Sequence, residues 1–311
     1  MIKTKERFEI DYCDPSGLSR FGRCPAMYML ERLMGLTDPG RDMIAPDYGT
    51  CMHRALPYAY KGADNLEEAN NEFDRAWEGY SYGWRDEKRN PDTARISLSS
   101  FALQRSPEMC QYDILPAEFR EKTADIISPN EIPFLIDIGG PLSLAGRIDL
   151  MIRYRPTGDV WVDDYKTASE ISPRFFNNFT AGCQACGYTL AGTHITGERV
   201  KGIAIEAIRT AKPGTKNSGQ CVIEFVFVTD VQLEQFVEGA ISKSAKMLSC
   251  NDDGEWPQEN SACAPYAQFG MPGYQCPYRP LCDRGDDWED QVRFYKRSKP
   301  FHPFFVNTEQ R

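Results

Sequence analysis

Histidine is scarce in this 311-residue chain, with three residues, which argues against a histidine-rich zinc site. Long apolar runs are missing too. None approaches the ~20 residues that cross a bilayer, so no membrane span is expected. The opening MIKTKERFEIDYCD has basic residues but no apolar stretch behind them, so no signal peptide is expected and the chain reads as cytoplasmic. Basic charge is in deficit: 36 Lys plus Arg face 45 Asp plus Glu, a formal charge of −9. This favours a narrow local groove over a broad nucleic-acid coat, and an anionic substrate must meet a local basic surface. Internal repeats and low-complexity tracts are absent. What is present, 41% hydrophobic and 26% charged residues, suffices for a real core and rules out wholesale disorder. Cysteine is abundant and odd in number, at 11. In a reducing compartment, clustered cysteines suggest metal or redox chemistry before disulfides.

Three textures follow one another. Residues 1–112 read as an N-terminal helical region, with helices over 24–36, 47–60 and 66–84, a solvated turn at 85–95, and a further helix to about 111. In the first of these, Met27, Leu30 and Met34 stand near helical spacing. Residues 113–248 change period: strands at 143–154 and 159–167, a helix over 173–193, strands at 200–210 and 219–229, and a helix over 231–248. That order indicates an α/β fold with a mixed sheet. Residues 249–311 are punctuated by Gly, Pro and Cys with little periodicity, and need something other than a large core to hold them, metal ligation being one option. All three are expected to form one compact unit.

The 143–166 segment carries the most chemistry. If Arg155-Pro156-Thr157-Gly158 is a four-residue hairpin loop, Tyr154 faces Asp159 and Asp149 faces Asp164. Cross-strand neighbours have Cβ atoms ~4.5–5.5 Å apart. Lys166 lies two residues beyond Asp164 and so shares its face. Two carboxylates this close repel unless a cation separates them, and oxygen ligands suit Mg²⁺ or Mn²⁺. A surface ion-pair cluster is the alternative. It is disfavoured by the flanking Leu150, Ile152, Val160 and Val162, which suggest a buried sheet where bare charge is expensive.

Gly146-Arg147-Ile148-Asp149, then Asp164-Tyr165-Lys166-Thr167, then Gln184-Ala185-Cys186-Gly187-Tyr188, resemble the RecB-type branch of the PD-(D/E)XK nuclease superfamily. His53, in Tyr-Gly-Thr-Cys-Met-His, matches the histidine that the branch carries upstream. The resemblance implies a restriction-endonuclease-like mixed sheet flanked by helices. It implies that His53, Asp149, Asp164 and the Tyr165 main-chain carbonyl bind a divalent ion, that Lys166 is the catalytic lysine, and that Gln184 and Tyr188 approach the DNA or the active site. Gln184 and Tyr188, four residues apart, share a helix face. Ile148 stands where the proline that names the superfamily would be. Glu118 and Glu121, on an expected strand before the hairpin, are further acidic candidates, more simply read as surface residues.

Cys24, Cys263, Cys276 and Cys282 resemble the cysteine frame of the iron–sulfur members of this branch: one cysteine before the histidine motif and three after the core, the last two separated by five residues. A [4Fe–4S] cluster is the first reading, with Zn²⁺ as alternative and free buried thiols third. The interval between Cys263 and Cys276, twelve residues, is longer than the commonest family spacing. Cys183 and Cys186 fall on the helix carrying Gln184, where such pairs more often pack inward; Cys13, Cys51, Cys110, Cys221 and Cys250 read as structural or incidental.

The resemblance implies a metal-dependent DNA exonuclease of recombination, repair or phage DNA metabolism, acting on ends or single strands, with a helicase or recombination protein as partner and no membrane. Arg147, Arg153, Arg155, Arg174, Phe175 and Phe176 are candidates to track the strand, and the 292–305 tail reads as a docked arm or a strand platform. A catalytically silent DNA-binding adaptor and a zinc-stapled endonuclease are the alternatives.

Overall fold

The computed structural model describes residues 1–38, 40, 42–80, 82–106, 109–115, 131–179, 182–263 and 275–298. Contacts divide the chain into two units that interleave in sequence. One comprises Asp42–Pro133 and Arg147–Asp230; the other comprises Met1–Arg41, Phe134–Gly146 and Val231–Arg311.

The first unit is a five-stranded mixed sheet carrying helices. It opens with helices α1 (Ile44–Ala59), α2 (Leu66–Glu78) and α3 (Pro91–Gln104). The helix expected over 66–84 stops at Glu78, where Gly79 follows, and the one expected to reach 111 stops at Gln104. α3 begins where the sequence supplies both devices of a helix start. The Asn90 side chain accepts from the Thr93 amide while the Thr93 hydroxyl accepts from the Asn90 amide, and Pro91 takes the first helical position.

Strands β1 (Tyr112–Ile114), β2 (Leu150–Tyr154) and β3 (Val160–Ala168) follow, then the short helix α4 (Pro173–Asn177), helix α5 (Cys183–Thr196) and strands β4 (Val200–Arg209) and β5 (Cys221–Phe227). The sheet order is β5-β4-β3-β2-β1. β3 and β4 run parallel, joined across α5, and the remaining pairs are antiparallel. This is the mixed sheet that the order of elements indicated. One face of it packs against α1, α2 and α3 through Tyr48, Phe73, Trp77, Phe101, Ile152, Trp161 and Ile208. Burial of such side chains is worth ~1.5–3 kcal/mol each.

The β2–β3 hairpin has the register derived from its loop. Leu150 pairs with Asp163, Met151 with Val162, Ile152 with Trp161 and Arg153 with Val160, and the Tyr154 amide donates to the Asp159 carbonyl. The strand expected over 143–154 is interrupted, however. It forms Ser143–Ile148 and then β2, with Asp149 at the break. The helix expected over 173–193 is also two helices. Asparagine and glycine are poor helix formers, and Gly182 takes an extended conformation as the N-cap of α5.

In the second unit, the helix expected over 24–36 begins at Pro25 and passes at Met29 into a π-helical turn, closed by the Met34 amide on the Met29 carbonyl at 2.9 Å. The extra residue in that turn shifts the periodicity, so Met27 and Leu30 are buried while Met34 is only half-buried. The long helix Asp230–Asp253 follows, extending beyond the expected 231–248. The C-terminal segment has more core than its composition suggested. Trp256 and Trp288 are almost wholly buried, the Trp288 indole donates to the Lys3 carbonyl at 2.9 Å, and Lys296–Arg297 pairs as a strand with Leu36–Thr37. No described helix is long and apolar enough to cross a membrane. Residues 299–305 of the expected tail lie outside the described residues.

Candidate functional site

Asp149 stands at the break between two strands, and its carboxylate is held there by the opposite strand. Its Oδ2 accepts from the Tyr165 amide at 3.0 Å and lies 3.4 Å from His53 Nδ1. His53 comes from the middle of α1, with its ring edge-on to Tyr165 at a centroid distance of 5.8 Å. Tyr165 is buried between His53 and Phe101, so the sheet core fixes the imidazole from below.

A third group joins them. Glu131, just before the strand Ile132–Ile136, offers a carboxylate oxygen, and one donor atom each of His53, Glu131 and Asp149 lie within 4.8 Å of one another. Its other contact is Arg147, at 3.0 Å. One nitrogen and two carboxylates are a donor set for a hard or borderline divalent cation.

Beside this set, on β3, Asp164 is buried and forms an ion pair with Lys166 at 2.5 Å, and it accepts from Gln184 Nε2 at 3.0 Å. The same-face prediction for Asp164 and Lys166 is therefore realised as direct contact. Gln184 sits in the first turn of α5, and Tyr188 is half-buried one turn later.

The electrostatics follow from burial and neighbours. Burial pushes the Asp164 carboxyl up, and Lys166 offsets that only in part. For Asp149 burial acts the same way, but His53, Lys166 and the Tyr165 amide outweigh it and hold the group below the usual carboxylate range. Burial would lower His53, yet Asp149 keeps it above its ordinary value. Glu131 is raised by burial, against the pull of Arg147. Asp149 and His53 thus favour each other's charged forms, whereas burial favours the neutral forms of Asp164 and Glu131.

Of the sequence candidates, the structure thus brings together His53, Asp149, Asp164, Tyr165, Lys166 and Gln184. Glu131 was missed. The signal available was Gly139-Gly140, a turn with Gly139 at φ +75°, which folds the chain back between Ile132–Ile136 and Ser143–Ile148 and carries Glu131 to the level of Arg147. Glu118 and Glu121 lie outside the described residues. Of the candidate strand-tracking residues, Arg147, Arg153 and Arg155 form ion pairs with Glu131, Glu198 and Asp113, the last two pairs at the surface.

The four cysteines fall in the second unit. Cys24 and Cys276 are buried, Cys263 and Cys282 half-buried, and the Cys276 amide donates to the Cys263 carbonyl at 2.9 Å. Burial raises the Cys263, Cys276 and Cys282 thiols, the last to about 12, and the neighbouring thiols of the quartet, Cys24 included, push each of them further up. The four are therefore neighbours, although no three of their sulfurs lie within 4.8 Å of one another. Cys186 is buried and Cys183 half-buried on α5, and none of the eleven cysteines is disulfide-bonded.

Among curated proteins no relative matches the chain. A crystal structure from Eubacterium rectale, described as a "putative exonuclease", is similar over 87% of this chain and 92% of its own, at 14% identity and a TM-score of 0.49. The sequence pattern is decisive: residues 14–283 match the model of the PD-(D/E)XK nuclease superfamily, and the chain belongs to that superfamily.

Proposed function

We propose that this protein is a divalent-metal-dependent deoxyribonuclease that removes nucleotides from DNA ends, of the RecB-type branch, with a [4Fe–4S] cluster in its second unit. The observation that carries the reading is the meeting of His53, Glu131 and Asp149 beside the Asp164–Lys166 pair. Those three side chains would hold Mg²⁺ or Mn²⁺, with Asp164 and the Tyr165 carbonyl adjacent on β3. Such an ion supplies Lewis acidity toward a phosphodiester. Lys166 places a positive charge where negative charge grows on the phosphate oxygens, and its contact with Asp164 fixes its direction. Gln184 holds the second face of Asp164 and keeps that carboxylate from rotating. An adaptor that had lost catalysis would have no need of this buried, mutually compensating set.

Cys24, Cys263, Cys276 and Cys282 offer thiols only, the donor chemistry of iron–sulfur clusters. A single tetrahedral zinc with Zn–S of ~2.3 Å sets its sulfurs about 3.8 Å apart. The choice between one zinc and a cluster rests on metal analysis of the protein.

The test is cleavage of end-labelled single- and double-stranded DNA with Mg²⁺ or Mn²⁺, beside covalently closed circular DNA. Shortening from the ends, with the closed circle untouched, is the expected result. Nicking of the circle at a comparable rate would make the enzyme an endonuclease. No cleavage of any substrate would return the adaptor reading.

A further inference from the structure

The segment after β3 carries Phe175, Phe176 and Phe179, three partly exposed phenylalanines. α4 has no buried residue, and none of the three rings joins the hydrophobic cluster between the sheet and α1–α3. They pack on one another instead, Phe175 lying edge-on to Phe176 and to Phe179 with centroid distances of 5.2 Å in both pairs. All three are half-buried, and Arg174 beside them is exposed. Half-exposed aromatic rings grouped on a surface turn forgo the burial that normally places phenylalanine in a core. The trio is not remote from the chemistry: the Lys166 ammonium lies 5.8 Å from the Phe179 ring centroid.

We propose that Phe175, Phe176 and Phe179 form a stacking platform for unpaired nucleobases of the strand whose phosphate is presented to Lys166. This rests on the reading of the site as a deoxyribonuclease centre. An aromatic face accepts any base, which suits a strand read without sequence preference, while Lys166 and Arg174 supply the charge that a phosphate backbone requires. Bases in a duplex are already stacked on their neighbours, so the platform selects unpaired or frayed ends.

The experiment compares the parent with Phe175→Leu, Phe179→Leu and Phe179→Trp, using a single-stranded oligonucleotide and its counterpart carrying abasic residues at the three terminal nucleotides. Binding is read by fluorescence anisotropy in Ca²⁺, and cleavage separately in Mg²⁺ or Mn²⁺. The leucine variants should bind the normal strand about 5- to 100-fold more weakly. The parent should lose a similar factor on the abasic strand, the leucine variants should lose little more, and Phe179→Trp should restore the difference. Equal losses on both strands, or none, would overturn the platform. A parent that cleaves but ignores abasic residues defeats only the stacking proposal. A parent that binds with the abasic penalty but does not cleave defeats only the nuclease reading, and a parent that binds neither strand defeats both.

Discussion

The proposed roles of Lys166 and Asp149 differ, so their loss should be distinguishable. Asp149 is held ionised by His53 and the Tyr165 amide, so Asp149→Ala should abolish Mn²⁺ binding in titration calorimetry together with cleavage. Lys166→Ala removes a cation near the site. Mn²⁺ binding should persist or tighten, while cleavage falls ~10²–10³-fold, the scale for one electrostatic stabiliser. Parental cleavage by Lys166→Ala would refute the site. The residue before Asp164 makes a different prediction. Asp163 is fully buried on the opposite face of β3, neither of its oxygens has a hydrogen-bond partner among the described residues, and burial pushes its carboxyl up to about 8 against the pull of Arg105. An unfolded aspartate titrates near ~3.9. Between those values the folded state keeps a proton that the unfolded state has lost, so this group's contribution to stability falls as pH rises from about 4 to about 8. Asp163→Asn removes the titration and keeps the shape. Its urea midpoint, measured with chelator present, should gain on the parent's from pH 5 to pH 8. A constant difference would show that Asp163 does not hold that proton.

At the scale of elements, the site depends on how closely α5 lies on the sheet. Gly192 makes that approach: a Cβ there would meet Val162 at 3.0 Å and Met151 and Val200 at 3.2 Å. Gly192→Leu must push the helix outward, and with it Gln184 and Tyr188. Overpacking of this kind costs ~1–3 kcal/mol. Urea unfolding should show that loss, and the displacement of Gln184 from Asp164 should lower cleavage under conditions where the variant is still fully folded. Unchanged stability would mean that the contact yields without moving α5. The strand break at Asp149 belongs to the same scale. A continuous strand would keep Asp149 in the ladder, whereas the interruption lets its carboxylate accept the Tyr165 amide and face His53.

For the whole molecule, the proposed nuclease site lies in one unit and the cysteine quartet in the other. Protein purified without oxygen should be brown, with broad absorbance near ~400 nm from thiolate-bound iron and with iron in analytical amount. Cys276→Ser and Cys282→Ser should lose the colour and unfold at lower temperature. Cys183→Ser and Cys186→Ser, on α5, should keep the colour. A colourless protein with stoichiometric zinc would replace the cluster by a single-ion site.

Much of this was legible in the residues alone. The hairpin register followed from a four-residue loop, because a turn of fixed length leaves a strand pair one pairing. The same-face placement of Asp164 and Lys166 followed from the two-residue period of a strand, and the mixed sheet from the order of its elements. Tertiary structure decided what local periodicity does not encode. Glu131 reached the site by a second hairpin, whose partner strand the sequence did not identify. Arg147, Arg153 and Arg155 found their ion-pair partners in acids distant in sequence. The helix boundaries at Met29 and Asn177 depended on a π-turn and on the residues that follow α4, with Gly182 extended before α5. The sequence determined which groups could carry the chemistry; long-range packing determined which of them meet, since meeting depends on contacts between segments that share no local pattern.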